Sequence, residues 1–287
     1  MAVSVYFIAE VVERVAPKAW AETWDNVGIL IGDGAAKVQR ILLALDPSPE
    51  VVQEAIDYGA ELIVGHHPLL FRPLKNLRTD NRQAEIPLRL IQHGIAYYAA
   101  HTNLDQSRFS SSWTLGEALG LQTMDIMDPI GGEELTGNAR GYGVIGLLPE
   151  AESLERVWGR LAARLSPSVS SSLHEGSLFA SSHDLSSVRF AGDRSKPIRK
   201  VAIANGSGGS FIPKALARGA DLMLTGDVDH HQVLDALQGG MAVCDMGHFL
   251  SEAPMLKTLA DYFKEEKALR DVEIMVSRTS LPWRVRA

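Results

Sequence analysis

The sequence predicts an α/β protein made of two similar lobes, each organised on a parallel sheet. Strands and helices alternate through the first 120 residues, which is the pattern of a parallel sheet with helical connections. Three pieces of the first half recur in the same order in the second half. Histidine and acidic residues follow several predicted strands, and sites in such sheets form outside the carboxyl ends of the strands.

Composition limits the classes of function. The chain has 287 residues, a net charge of -7 and one cysteine, Cys244. The acidic balance argues against a general nucleic-acid binder, although Arg72, Lys75 and Arg78 form a local basic group. A single cysteine excludes a disulfide framework within the chain. Met1 to Ala9 has no basic segment, and no apolar run reaches about 18 residues, so neither a signal peptide nor a membrane span is predicted. The expected location is the cytoplasm.

Local signals define the elements of the first lobe. Apolar residues at helical spacing predict a helix from Ser4 to Val15, and a turn at Asp25 and Asn26, beside an anchoring tryptophan, precedes a strand. Ser48 and Pro49 are typical of a helix start, and Gly59 of its end. Further elements are predicted as strands at 41–45, 62–65 and 95–100 and helices at 83–93 and 113–119.

The middle of the chain has a different pattern. We predict an N-terminal lobe at 1–124, a middle segment at 125–194 and a C-terminal lobe at 195–287. Glycines at 141, 143 and 146 precede an apolar strand rather than a helix, which argues against a dinucleotide-binding loop. An amphipathic helix is predicted from Leu154 to Leu165. Ser166 to Ser187 is predicted to be a mobile surface loop with two solvated histidines, His174 and His183.

Two adjacent histidines, His66 and His67, end a buried strand and are followed by Pro68. Neighbouring side chains on a strand point to opposite faces, so the two imidazoles are poorly placed to bind one ion from a regular strand. At a strand end, each could hold one of two neighbouring ions. The alternative is a surface turn with two solvated histidines.

The internal repeat extends this chemistry. Its matched pieces are Arg40–Asp46 with Arg199–Asn205, Tyr58–Val64 with Arg218–Leu224, and Ile95–Asp105 with Met241–Glu252. The last pair gives a histidine and an acid four residues apart in each lobe, His101 with Asp105 and His248 with Glu252. A cleft that joins both lobes would hold His66, His67, Asp105, His248 and Glu252.

This donor set favours two metal ions over one. Three imidazoles and two carboxylates exceed the three protein ligands of a catalytic zinc ion. They suit two divalent ions roughly 3.5–4 Å apart, bridged by a carboxylate and a water molecule. Glu252 has an alternative role as a first-turn helix carboxylate. His230 and His231 either orient ligands or simply begin a polar helix.

Five stretches resemble the Nif-three-like dinuclear metal-centre family, whose members are often called GTP cyclohydrolase type-two homologues. The stretches are Trp24–Gly28, Gly65–Pro68, Ala100–Asp105, Thr225–His231 and Gly247–Glu252. The resemblance implies duplicated three-layer α/β/α lobes, a ring-shaped homohexamer and a two-metal site. The implied ligands are again His66, His67, Asp105, His248 and Glu252, with His101 beside the metals.

We therefore expect a metal-dependent hydrolase that acts on a nucleotide-like small molecule such as GTP. Two divalent ions (Zn, Mn, Fe, Co or Ni) would activate a bridging water, and His101 would move a proton near the leaving group. The alternative is a protein that binds the same ions without turnover, as a metal carrier or a scaffold.

Overall fold

The computed structural model describes residues 2–131, 139–165 and 185–279. The described chain forms two compact units, one of residues 2–104 and 256–279 and the other of the described residues from 105 to 255. The predicted loop from Ser166 to Ser187, with His174 and His183, lies outside the described residues except for its last three positions. The predicted boundaries at 124 and 194 concern the sequence repeat and stay a prediction.

The strands and helices predicted for the first lobe occur in the order that the sequence indicates, and the structure adds strands at Val3–Ser4, Lys37–Val38 and Gln122–Ile130 that were not predicted. The strands are β1 Val3–Ser4, β2 Gly28–Ile31, β3 Lys37–Val38, β4 Arg40–Ala44, β5 Leu62–Gly65, β6 Ala96–Ala99, β7 Gln122–Ile130, β8 Arg140–Ser153, β9 Arg189–Ala191, β10 Pro197–Ser207, β11 Leu222–Gly226, β12 Ala242–Asp245 and β13 Glu273–Val276. The helices are α1 Val5–Glu13, α2 Pro49–Tyr58, α3 Glu85–Gln92, α4 Thr102–Asp105, α5 Ser111–Ala118, α6 Leu154–Leu165, α7 Ile212–Ala217, α8 His230–Gln238, α9 Gly247–Glu252 and α10 Pro254–Glu265.

The first unit contains a five-stranded sheet in the order β13-β4-β5-β6-β2. All strand pairs are parallel except the edge pair β2 and β6. Every residue of β5 and β6 is buried, as expected for a parallel sheet covered on both faces. Tyr97 belongs to the core formed with α2 and α3, whereas its neighbour Tyr98 donates a hydrogen bond to Glu13 of α1. Helices therefore cover both faces, which confirms the predicted α/β/α layering in this unit.

Helix α2 shows why the local signals in this lobe were informative. The Ser48 hydroxyl accepts a hydrogen bond from the backbone N–H of Val51 at 3.2 Å, and Pro49 occupies the first turn. Gly59 ends the helix with a left-handed φ of 70°, a conformation that glycine adopts without a steric cost. These contacts confirm the helix predicted between Ser48 and Gly59.

The second unit contains a six-stranded sheet in the order β7-β8-β10-β11-β12-β9. Its centre, β10-β11-β12, is parallel, and β7, β8 and β9 are antiparallel additions. The glycine-containing segment after Arg140 forms strand β8, which confirms the prediction of a strand rather than a dinucleotide-binding loop. A Cβ atom at Gly141 would meet the Asp128 carbonyl oxygen on the neighbouring strand, so glycine here permits close strand pairing.

Hydrogen bonds show that the two units repeat one design. In each unit, an acidic residue just before the second parallel strand accepts hydrogen bonds from two consecutive backbone N–H groups near the start of the first parallel strand. In the first unit, Glu61 accepts from Gln39 and Arg40. In the second unit, Asp221 accepts from Arg199 and Lys200. The antiparallel edge strands β2 and β9 also correspond, because each pairs with the third parallel strand of its lobe. The duplication therefore includes these edge strands.

This register corrects one detail of the predicted repeat. Ile41 pairs with Leu62 in the first sheet, and Val201 pairs with Leu222 in the second. Ile41 therefore corresponds to Val201, one residue away from the predicted match of Arg40–Asp46 with Arg199–Asn205. The correspondence holds through Ile203, after which the pairing of β10 with β11 shifts register.

Candidate metal centre

The backbone at the end of β5 is fixed by contacts within the first unit. The His66 and His67 N–H groups donate to the carbonyl oxygens of Ala44 and Leu45, at 3.1 and 2.9 Å. The Tyr97 hydroxyl donates to the His67 carbonyl oxygen at 2.7 Å. The two histidines therefore continue alongside β4 in a defined conformation, rather than in the solvated turn that was the alternative.

Both imidazoles are oriented through Nδ1. His66 is buried, and its Nδ1 lies 2.8 Å from the Ala100 carbonyl oxygen. Because a carbonyl oxygen only accepts, Nδ1 carries a proton and donates it to this oxygen. His67 Nδ1 lies 2.8 Å from Asp46 Oδ1. Histidines that bind metals typically donate the other ring N–H to a carbonyl or carboxylate, and both residues have this arrangement.

The imidazole of His101 lies close to those of His66 and His67. Its Nδ1 lies 3.0 Å from Asp25 Oδ1, and its ring centroid is 5.1 Å from that of His66 and 5.6 Å from that of His67. One ligand nitrogen from each of the three imidazoles can be chosen so that all lie within 4.8 Å of one another. The first unit therefore contains a histidine cluster, His66, His67 and His101, that could hold a metal ion.

Asp25 anchors this histidine cluster. Its side chain is fully buried, and one carboxylate oxygen accepts bonds from the Thr102 N–H at 3.1 Å and the Thr102 hydroxyl at 2.6 Å. Burial alone would raise the pKa of Asp25. The hydrogen bonds from His101 and Thr102, together with the charge of His101, outweigh burial and lower that pKa to about 2. Asp25 is therefore ionised and holds the proton of His101 on Nδ1.

In the second unit, His248 and Glu252 lie four residues apart on α9 and therefore on one face. His248 Nε2 is 3.0 Å from Glu252 Oε2, and His248 Nδ1 is 2.7 Å from Asp227 Oδ2. Glu252 is buried, and a Cβ atom at Gly206 would overlap its Oε1 atom. Glu252 ends α9, so its interpretation as a first-turn helix carboxylate is wrong.

Asp105 also lies in the second unit, at the end of α4. Its Oδ1 accepts a bond from Asn205 Nδ2 at 2.7 Å, and Ser112 in turn donates to Asn205 Oδ1 at 2.6 Å. This chain of bonds orients the Asp105 carboxylate. The structure thus places His66 and His67 with His101 in one unit, and Asp105, His248 and Glu252 in the other. The predicted joining of all five ligands in one dinuclear centre stays a prediction.

His230 and His231 begin α8, as one of the two interpretations expected. Both side chains are exposed, and Asp229 caps the helix by accepting bonds from the His231 and Gln232 N–H groups. This geometry explains the pair as ordinary first-turn residues.

The sequence did not indicate which carboxylates orient the imidazoles. Asp25, Asp46 and Asp227 contact His101, His67 and His248 respectively. Asp25 was expected only in a turn, and its histidine lies 76 positions away in the chain. A usable signal existed for Asp46 and Asp227, since both follow parallel strands at the sheet edge where the histidines were predicted.

The fold and the histidine cluster define a duplicated α/β protein with a candidate metal-binding site. A model of the Duf34/NIF3 (NGG1p interacting factor 3) family matches residues 3–282, so the chain belongs to that family. A Clostridium perfringens protein named GTP cyclohydrolase 1 type 2 homolog is 38% identical over 271 residues, which cover 94% of this chain and 95% of that protein. A homologue of the same name from Streptococcus pneumoniae is 32% identical over 279 residues, covering 95% and 96% of the two chains.

Solved structures share the fold over nearly the full chain. A Bacillus cereus protein related to NIF3 superposes with a TM-score of 0.83 at 25% identity, covering 99% of each chain. A Staphylococcus aureus hypothetical protein gives a TM-score of 0.80 at 28% identity and the same coverage. These likenesses confirm the predicted family and fold class. No helix in the described ranges is both long enough and apolar enough to cross a membrane.

Proposed function

We propose that the chain is a dinuclear metal-binding protein that acts as a metal-dependent hydrolase on a nucleotide-like substrate. One observation carries the proposal. Each of the three histidines predicted as ligands, His66, His67 and His248, has its Nδ1 within 2.8 Å of a carbonyl or carboxylate oxygen. This arrangement orients the rings, and we assign Nε2 as the nitrogen that would bind the ion, as is usual at metal sites.

The donor types fit two divalent ions. The ligands would be His66, His67, Asp105, His248 and Glu252, in which imidazole suits Zn, Fe, Co and Ni, and carboxylate suits Mn. Asp105 and Glu252 would each supply carboxylate oxygen atoms to the ions. When bound, such ions supply Lewis acidity and a water molecule activated near neutral pH.

His101 is proposed as the catalytic group that transfers a proton. The Asp25 carboxylate accepts from Nδ1, so Nε2 is the nitrogen that exchanges a proton with substrate. Asp25 also accepts two hydrogen bonds from Thr102, so it links the imidazole to the first residue of the following helix. The same bonds keep His101 oriented before substrate arrives.

The substrate class comes from the relatives' names. Homologues that are 38% and 32% identical carry the name GTP cyclohydrolase 1 type 2 homolog, and we extend a nucleotide-like small molecule from it to this chain. A homohexameric ring and a cytoplasmic location, expected from the sequence, stay predictions.

Metal analysis of anaerobically purified protein tests the proposed site. We expect two divalent ions per chain in the wild type and at most one in His67→Ala and in His248→Ala. His93→Ala is the matched control, because His93 is exposed at the end of α3 and should leave the metal content unchanged. Equal metal content in all four proteins would refute the ligand assignment.

Turnover requires a separate experiment. Hydrolysis of nucleotides and phosphoesters is measured with Mn²⁺, Zn²⁺ or Fe²⁺ for the wild type and His101→Ala. Removal of a positioned acid–base group typically lowers a rate about 10²- to 10⁴-fold. Full metal binding with no turnover of any compound would instead favour a metal carrier or scaffold.

A further inference from the structure

Two exposed aromatic side chains lie beside the histidine cluster of the first unit. The Trp24 side chain is 58% exposed and that of Phe71 is 49% exposed. Their ring centroids are 5.9 Å apart with an angle of 70° between the planes, and the Trp24 centroid is 6.2 Å from that of His101. Trp24 was expected as an anchoring tryptophan beside the turn at Asp25 and Asn26, and more than half of its surface is exposed.

The pair is held in place by the residues that follow Trp24. Asp25 bonds to His101 and Thr102, and the Asn26 side-chain amide donates to the Leu70 carbonyl oxygen at 2.7 Å. The second bond ties the segment of Trp24 to the residue before Phe71. Two separate segments of the chain therefore present their rings at a fixed mutual angle.

Exposure of both rings is unfavourable in water. Fully burying a large apolar side chain contributes about 1.5–3 kcal/mol, and contiguous exposed apolar surface commonly marks a binding site. Other large apolar side chains are exposed in the described residues, including Tyr6 on α1. The pair formed by Trp24 and Phe71 differs because the rings contact each other and one of them contacts the cluster.

We propose that Trp24 and Phe71 bind the planar heteroaromatic ring of the substrate, a nucleobase or a similar ring, by stacking next to His101. This inference rests on the proposed function for its substrate, and it assigns specificity to two residues outside the metal ligands. A flat ring stacked on the indole presents its edge to the Phe71 ring, which is the edge-to-face geometry that aromatic groups prefer. The contact with Trp24 places the stacked ring beside His101.

Equilibrium dialysis with two probes tests this inference without using activity. Guanosine monophosphate contains a planar base, and ribose 5-phosphate lacks it. Base–aromatic stacking corresponds to about a 5- to 150-fold change in affinity per base. Trp24→Leu and Phe71→Leu should each weaken binding of guanosine monophosphate within this range, while binding of ribose 5-phosphate stays unchanged.

Two further proteins make the result decisive. Tyr6→Leu is the matched control, since Tyr6 is an equally exposed aromatic residue, 59% against 58%, and should leave both affinities unchanged. Trp24→Phe should retain guanosine monophosphate binding within about threefold, since every aromatic face supports stacking. Metal content is measured in all proteins. If Trp24→Leu loses its metal, the guanosine monophosphate affinities of Phe71→Leu and Trp24→Phe decide whether the base stacks on this pair.

The outcomes separate this inference from the proposed function. Guanosine monophosphate affinity that depends on Trp24 in a protein without bound metal would support stacking and refute the metal site. Normal metal content with no binding of guanosine monophosphate to the wild type would overturn the stacking proposal. A changed oligomeric mass in Trp24→Leu with unchanged affinity would show a subunit contact and would also overturn it.

Discussion

Replacement of Asp25 by asparagine tests whether one buried carboxylate holds the histidine cluster in place. Asp25 accepts four hydrogen bonds, from the N–H of Asn26, from His101 and from the N–H and hydroxyl of Thr102. Asparagine has only one acceptor oxygen. Its amide nitrogen would therefore face either the donors Asn26 and His101 or the donors on Thr102. The substitution therefore keeps the shape of the side chain and removes part of its bonding.

The magnitude follows from the pKa. The folded protein lowers the pKa of Asp25 from 3.8 to about 2, and each pKa unit corresponds to about 1.36 kcal/mol. The ionised carboxylate, whose side chain is shielded from solvent, thus contributes up to about 2 kcal/mol to the free energy of unfolding. We expect Asp25→Asn to lose this amount at pH 7.

The pH dependence has a defined sign. Because the folded pKa is below the unfolded value, the contribution is complete above pH 3.8 and disappears as the pH falls through about 2. The stability difference between the wild type and Asp25→Asn should therefore be constant from pH 7 to about pH 5. It should shrink steadily below pH 4.

Hydrogen exchange of the β5 and β6 amides, followed by mass spectrometry, reports on the unit that contains Asp25. Asp57→Asn is the control, since Asp57 is exposed on α2 and accepts a bond only from Gln53 among the described side-chain contacts. An Asp25→Asn protein as stable as the wild type at pH 7 would refute this reasoning. So would a stability difference that persists unchanged to pH 3.

Three further changes probe the second lobe. Gly206→Ala should destabilise the protein by about 1–2 kcal/mol in thermal unfolding, because the φ of Gly206 is +63°. It should also reduce the metal content, because the new Cβ atom would displace Glu252, and unchanged metal content would contradict this. Asp227→Asn should weaken metal binding about 10- to 100-fold in competition with a chelator, because His248 loses its charged acceptor; equal affinity would contradict the role of Asp227. Cys244 should resist a thiol reagent at pH 8 in the native protein and react fully in urea, because burial, followed by the nearby Asp245 charge, raises the pKa of its thiol; rapid native labelling would contradict this burial.

The elements of the first lobe could be predicted because their signals are local. Helix α2 begins at Ser48, whose side chain caps the first turn, and ends at Gly59, whose left-handed backbone terminates the helix. Strand β7 had no comparable signal, since Asp125, Asp128 and Pro129 interrupt its apolar residues. It is a strand because it pairs with β8, and that pairing is a tertiary contact that the sequence does not show.

The register of the repeat was off by one residue for a physical reason. Apolar strands such as β4 and β10 match almost equally well in neighbouring alignments. The correct alignment depends on which backbone N–H groups bond to Glu61 and Asp221. The orienting carboxylates were missed for a similar reason, since a contact between Asp25 and His101 requires knowledge of the fold.

The corrected register shows how the two lobes diverged. Leu62 and Leu222 occupy equivalent positions, because each pairs with the start of the first strand in its lobe. Five residues further along each chain segment, His67 and Asp227 therefore occupy equivalent positions of the repeat. Each of these residues belongs to an acid–imidazole pair, His67 with Asp46 and His248 with Asp227. The position that supplies the imidazole in one lobe therefore supplies the orienting carboxylate in the other.

This exchange has a consequence for the proposed centre. A faithful duplication would have given each lobe a complete copy of one site. Instead, the first lobe keeps adjacent histidines with separate Nδ1 acceptors, whereas the second has one histidine and a buried glutamate on a single helix face. Two ions with different ligand sets differ in affinity, because imidazole and carboxylate favour different metals. We therefore expect the two proposed ions to be lost in sequence rather than together during titration with a chelator, and a single cooperative loss would argue against two chemically distinct positions.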